Sequence, residues 1–478
     1  MSGFYRLEKL GKPGVYVCTD NFVHDAESAA EDVGMPRARI VTVHASDYYR
    51  LRGTDKEIMP VARAVIDELI DGLKRPLTEE EATTQPEKED LGPTTVTAKT
   101  YALAMEKFND IYLNRQWGDG LTLVPPTKEG VQAMLEGTSR SPDEVIGTVA
   151  PKNGVATIEK IAINAVMAGA KPEYLPVIIA AMECITDPDY DDLHVLTSTG
   201  SFNFTVMVTG PIAKELNINS GIGFLGYGWQ ANSTIGRAVQ LAMINIGRLW
   251  PGVNDMALVG RPAKQCYVFA ENQDFSPWPP FHVTQGFKTE DSCVTVSSVI
   301  GLSRKLLGGG AVATWTPEDI LNNAVKMMME SRWGMATWKR GSSNPGPMKY
   351  ILFFEPVLAM ELNRQGYTRA SLQKLLYERA TIPYEELTPG EIANVQPRID
   401  SGEIPGDRAS VFKNALKPVG RLPIVDRAED IRIVVAGGVP GYSFGMSFWR
   451  EGLYAPTSDQ TKLIRGATKT KAGKNLSQ

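Results

Sequence analysis

The first 45 residues carry the pattern of a parallel β-α-β unit entered from a helix, and such a unit cannot stand alone. Leu7-Glu8-Lys9-Leu10-Gly11-Lys12-Pro13 reads as a helix end closed by Gly11, and the apolar, β-branched run from Gly14 to Asp20 reads as a short strand. Phe22 to Val33 has the spacing of a helix closed by Gly34, and Ala38 to His44 is a second strand. A parallel strand needs partners on its flanks and cover on both faces. The expectation is a truncated module whose missing strands lie elsewhere in the chain or on another subunit.

The same residues carry a resemblance. The run Leu-Glu-Lys-x-Gly-x-Pro, a strand ending in Thr19-Asp20-x-Phe22, a helix, Gly34-Met35-Pro36 and a strand ending in His44 is similar to the C-terminal half of the small proteins named for a selenocysteine-Gly-Ser-Cys or Cys-Gly-Ser-Cys motif. More distantly, it resembles the selenocysteine-bearing subunit of glycine, sarcosine and betaine reductase component B. The match covers roughly Leu7 to Leu77. In those families the redox motif lies just upstream of the matching segment, whereas this chain has neither Cys-Gly-Ser-Cys nor any C-x-x-C. It also continues Ala45-Ser46-Asp47 after His44, where the families have a Pro. The resemblance implies either that the chemistry is lost or that thiol or selenol redox chemistry is completed by a small partner subunit. Cys18, Asp20 and His44 would then form the partner-facing half-site.

Composition narrows the classes. A chain of 478 residues, 43% hydrophobic, can bury substantial cores, and its length suggests two to four domains. A net charge of -5 argues against nucleic-acid binding as the main role. No apolar run has the length of a membrane span, and no basic-then-apolar leader opens the sequence. Cys18, Cys184, Cys266 and Cys293 are scattered without zinc spacing, which fits a reducing, cytoplasmic setting. No flavin, nicotinamide or metal signature is present, so no bound cofactor is expected.

One linker divides the chain. Residues 77–93 are polar, acidic and punctuated by proline, so 1–76 reads as the truncated module and 94–464 as a large α/β domain of catalytic type. A sub-boundary is expected near 310–320, and 465–478 reads as a flexible basic tail. The fold class is α/β, with mixed α+β as the variant. Strands are expected at Thr94–Thr100, Thr122–Pro125, Asn203–Thr209, Lys349–Glu355 and, centrally, Ile431–Ala436. A glycine turn is expected at 306–310.

Three clusters carry candidate chemistry. Asn164 lies in an apolar helix and reads either as a packing clamp or as a site residue; Glu173, held between prolines, reads as an acid or base or as a cap. The loop from Asn219 to Asn232 contains Gly226 and Gly228 and runs into a helix. Exposed amides and a helix dipole there suit an anion, with Arg237 as a bidentate clamp and Asn232 beside it. The spacing is neither Walker A nor Rossmann, and close backbone packing is the competing reading.

The third cluster is a β run from Cys266 that ends in Glu271 and enters a proline-rich loop presenting Trp278, Phe281 and His282. Glu271 and His282 are the best acid/base candidates, and Trp278 and Phe281 would wall an apolar pocket. Cys266 reads as a core thiol. The functional expectation is the large subunit of a heteromeric, oligomeric enzyme acting on a small polar or anionic substrate. Alternatives are a lyase or hydratase using Glu173, Glu271 and His282, and a non-catalytic assembly subunit.

Overall fold

The computed structural model describes residues 7–8, 10–32, 34–48, 54–79, 81–82, 93–190, 192–260, 267–306, 316–330, 349–387, 389–402, 406–425, 427–438, 445–451 and 459–468. Within them the fold is a mixture of helices and mixed sheets, of α/β or α+β class. Strands β1 (Tyr16–Thr19) and β2 (Ile40–Val43) pair in parallel through the helix Val23–Asp32 and form a two-stranded sheet by themselves. The amphipathic helix Asp55–Lys74 packs beside β2, and a Cβ at Gly72 would meet Val15 at 2.7 Å. Arg39 fixes the far end of this helix. It donates to the carbonyls of Gly72, Arg75 and Pro76 and to both oxygens of Glu81. The start of the linker is therefore docked on the module.

β3 (Val145–Val149) and β4 (Gly154–Thr157) form a hairpin, and β5 (Asn203–Thr209) and β6 (Tyr267–Ala270) enter the main sheet. They are followed by β7 (Cys293–Leu306), β8 (Tyr350–Phe354), the small pair β9 (Thr381–Pro383) and β10 (Arg421–Pro423), then β11 (Ile431–Val435), β12 (Gly445–Glu451) and β13 (Asp459–Leu463). The main sheet runs β11-β8-β12-β7-β5-β6, with β13 also on β7. β5–β6 and β8–β11 are parallel, and the pairs made by β7 and β12 are antiparallel. Strands from both sides of residues 310–320 share this sheet, so it spans the expected sub-boundary.

Alternation along each strand sorts the side chains into two layers. Val206, Val208, Val268, Val294, Val296, Tyr350, Leu352, Phe354, Ile433 and Val435 face a large core built with the helices Ile158–Met167, Leu175–Ile185 and Gln230–Asn245. Met207, Phe269, Val299, Ile351, Phe353 and Val434 face a second, smaller one. The second layer lies inside a curve. β6 and β8 are four strand spacings apart along the sheet, roughly 19 Å if it were flat, yet the Phe269 and Phe353 rings stand 5.2 Å apart. Asn272, just past β6, donates its backbone N–H to Val435 on β11 at 2.8 Å, so the two terminal strands meet at their carboxyl ends. The sheet is curled until one end closes.

Several expectations need correction. Thr94–Thr100 is not a strand, because Thr100 is used as the cap of the helix Tyr101–Asn114, accepting from Leu103 N. Thr122–Pro125 is not one either: Pro125 and Pro126 offer no donors, and Val124 N bonds the Met167 carbonyl at the end of a helix. β11 is a terminal strand rather than a central one, buried by the closure. Of the tail, residues 465–468 are bound. Arg465 pairs with Glu183 at 2.6 Å, and the Gly466 carbonyl accepts from Ser139 N. Residues 307–310 of the expected glycine turn and Cys266 lie outside the described residues.

Candidate functional site

The carboxyl ends of β6, β8 and β11 converge where the curled sheet closes, and the glycine-rich loop lies across that end. Asn219 accepts from Ala270 N, Ser220 O accepts from Gly437 N, and Ile222 sits against Gly438. Phe224 inserts below, edge-on to Phe269 and Phe353 at 5.5 and 5.4 Å. Asn232 holds the loop in place. Its side-chain oxygen accepts from Asn219 N at 2.9 Å and its amide donates to Val268 O at 2.8 Å. It stands in the helix Gln230–Asn245, which begins earlier than the loop reading placed it. Gly226 and Gly228 are exposed, and Gly228 at φ +106° adopts a conformation that a side chain would strain.

Arg237 does not clamp a ligand here. Its fork is taken by Asp119, at 2.7 and 2.9 Å, and by the carbonyls of Leu121 and Thr122. This bidentate pair fastens the segment before helix Lys128–Leu135 to the loop's helix. Asn164 is likewise a clamp between helices: it donates to Lys160 O and accepts from Asn245 at 2.6 Å. Glu173 sits in the short turn Pro172–Tyr174 beside helix Lys128–Leu135 and is not brought to Glu271.

Glu271 is buried at the end of β6. One carboxyl oxygen accepts from Phe281 N at 2.7 Å and the other from Arg369 at 3.0 Å. Arg369 also donates to Pro279 O at 2.7 Å and stacks 6.0 Å from the centroid of Trp278, whose indole N–H bonds Tyr367 O. Burial pushes the carboxyl up to about 7, against the pull of the guanidinium and the Phe281 amide. A group that exchanges its proton near neutrality is suited to acid/base work. Trp278 belongs to this buried frame rather than to an open pocket wall.

His282 is buried next to Phe281 but is turned elsewhere: Nε2 donates to Lys288 O at 2.9 Å, and Nδ1 has no partner. Burial holds its pKa below the usual value, so the ring is neutral with a bare Nδ1. Glu271 and His282 therefore share a loop without forming a bonded pair.

Cys18, Asp20 and His44, the residues expected to face a partner, lie towards the carboxyl ends of β1 and β2. Asp20 follows β1 and His44 follows β2; Asp20 accepts from His44 Nδ1 at 3.0 Å and from Ala45 N at 3.1 Å. Beside them lies a cleft of about 320 Å³ lined by Tyr16, Val17, Cys18, Thr19, Phe22, Asp25 and Val43. The cleft touches all four residues of β1 and, through Val43, the end of β2. Burial, with Asp25, Glu27 and Asp20 nearby, keeps the Cys18 thiol above its ordinary pKa and therefore protonated.

Sequence reading missed the residues that complete these arrangements: Arg369, Asp119, Asn219 and Asn272. Arg369 did leave a signal. A basic residue at the first position of a helix, after the Thr368 cap, opposes the helix dipole and needs a carboxylate. Asp119 left none, since its partner is 118 residues away.

Among the described residues no cluster of His, Cys, Asp and Glu could hold a metal ion, and no helix is long and apolar enough to cross a membrane. A comparison with protein-family models finds no match, and a comparison with curated proteins finds none either.

Proposed function

We propose that this chain is the large subunit of a heteromeric, thiol- or selenol-dependent enzyme acting on a small polar or anionic substrate, with the reactive Cys-Gly-Ser-Cys-type element carried by a small partner. One observation carries this reading: β1 and β2 form a parallel pair that no third strand joins among the described residues, with a cleft lined by all four residues of β1. Parallel strands are stable inside larger covered sheets. A strand from a partner would supply what this pair lacks and would place the partner's thiol at the carboxyl ends, where α/β sheets present chemistry. Purification of the native assembly from its source cells tests it. The expected result is a small second chain with paired cysteines or selenocysteine; a homo-oligomer would contradict it and favour an assembly or docking role for the module.

Glu271 favours a second reading, a lyase or hydratase, because a buried carboxyl near neutrality stands where three strand ends converge. Glu271→Gln abolishing turnover in a preparation whose thiols are fully alkylated would select it.

A further inference from the structure

The Asp20–His44 pair differs from an ordinary surface pair in how it is built. His24–Glu27, another exposed His–carboxylate pair, joins neighbours three residues apart around one helix at 3.3 Å. Asp20 and His44 come from the ends of two adjacent parallel strands, 24 residues apart in sequence. Both oxygens of Asp20 are engaged, one by His44 Nδ1 and the other by Ala45 N at the start of the short helix Ala45–Tyr48. The carboxylate is thereby fixed, and it fixes the imidazole with its proton on Nδ1. That leaves Nε2 as the lone-pair nitrogen on a side chain 79% exposed.

The cleft reaches the end of the module that carries this nitrogen. Thr19 and Val43, the residues immediately before Asp20 and His44, both line the cleft along β1. A segment that fills that cleft therefore passes the strand ends that carry Asp20 and His44. The surroundings are acidic: Asp20 and Asp47 act on His44, and Asp20, Asp25 and Glu27 act on the cleft thiol Cys18. Such a field opposes a bare thiolate. A thiol brought here ionises only if its proton stays close by on a base that becomes positive.

We propose that His44, oriented by Asp20, is the proton acceptor for a cysteine thiol that the partner presents at the mouth of the β1 cleft. The inference rests on the partner reading above and names the site's task. The thiol S–H bond breaks, its proton forms an N–H bond at Nε2, and the products are a thiolate and an imidazolium whose charge Asp20 balances. No electrons are transferred in this step. A selenol would be ionised near neutrality without such help, so the arrangement suits cysteine.

The test uses the assembly as isolated from cells expressing wild type, His44→Gln, Asp20→Asn or His24→Gln. Two readouts are taken: partner retention by native mass, and the pH profile of iodoacetamide alkylation of the partner's reactive cysteine. The amide of Asp20→Asn can still accept from Ala45 N, so the local fold persists. His44→Gln should slow alkylation at pH 7 by about tenfold or more and move the profile to higher pH, as expected when a thiol loses its basic neighbour. Asp20→Asn should give a smaller shift in the same direction, and His24→Gln none. A retained partner with an unchanged profile in His44→Gln overturns the proton-acceptor role while leaving the partner reading intact. Absence of any partner from the wild-type assembly overturns both.

Discussion

Two strand systems in this chain, one mixed and one parallel, are finished in opposite ways. In the main sheet the edge strands β6 and β11 meet through Asn272 and Val435, and the concave face is filled by three mutually edge-on rings. In the N-terminal module β1 and β2 pair only with each other among the described residues, and Val17 stays 46% exposed. Apolar side chains of the helix Asp55–Lys74, including Ile58, Met59, Ile66 and Ile70, are exposed as well. The contrast teaches where to look for stability and where to look for partners. Closing a sheet on itself satisfies its edges, whereas an open parallel edge is a surface awaiting a strand.

Breaking the closed region should have the largest effects. Arg369→Met removes the cation beside Glu271 along with its bond to Pro279 O. Without the guanidinium the buried carboxyl is pushed further up, and at alkaline pH, where it must lose its proton unpaired or hold it against solvent, the expected loss is about 3–5 kcal/mol in denaturant unfolding; at acid pH protonation relieves much of it.

Wild-type stability should itself depend on pH through Glu271. Its folded pKa, about 7, lies above the unfolded 4.5. The folded state thus holds the proton more tightly, and stability falls as pH rises from 4.5 through 7, by about 3 kcal/mol. Unfolding curves across that window should show the decline, and Glu271→Gln should flatten it. Next in size, Asn232→Ala strands the Asn219 N–H and frees the glycine loop, an expected cost of about 1–3 kcal/mol with faster amide exchange across 219–229.

The smallest effect on stability is expected in the open module. Val17→Lys should change global unfolding by less than about 0.5 kcal/mol, while lowering partner recovery in native purification. If it destabilises the chain as Asn232→Ala does, the edge is already covered and the contrast between the two regions fails.

Much of this was legible in the sequence, for physical reasons. The β-α-β unit before residue 45 could be read because glycines with positive φ, Gly11 and Gly34, mark its helix ends. The helices Pro317–Glu330 and Arg369–Arg379 are marked in the sequence by a threonine at the cap position, Thr316 and Thr368, and each cap makes reciprocal side-chain and backbone bonds. The closure of the sheet was not legible, because it depends on pairings such as Asn272 with Val435, far apart in the chain. Candidate residues suffered the same limit. Arg237 and Asn164 look like ligands until Asp119 and Asn245 arrive to occupy them. Cys18, Asp20 and His44, by contrast, end up together because adjacent parallel strands bring their carboxyl ends to one place.

Amide hydrogen exchange on the chain alone and on the assembly purified from its own cells decides whether the edge of β1 is open to a partner. The expected result is that β5, β8 and β11 are protected in both, while the amides of Val17 and Thr19, which point away from β2, exchange readily in the isolated chain and become protected in the assembly. Equal protection of β1 in the two samples would contradict it, showing that its edge receives nothing from a partner.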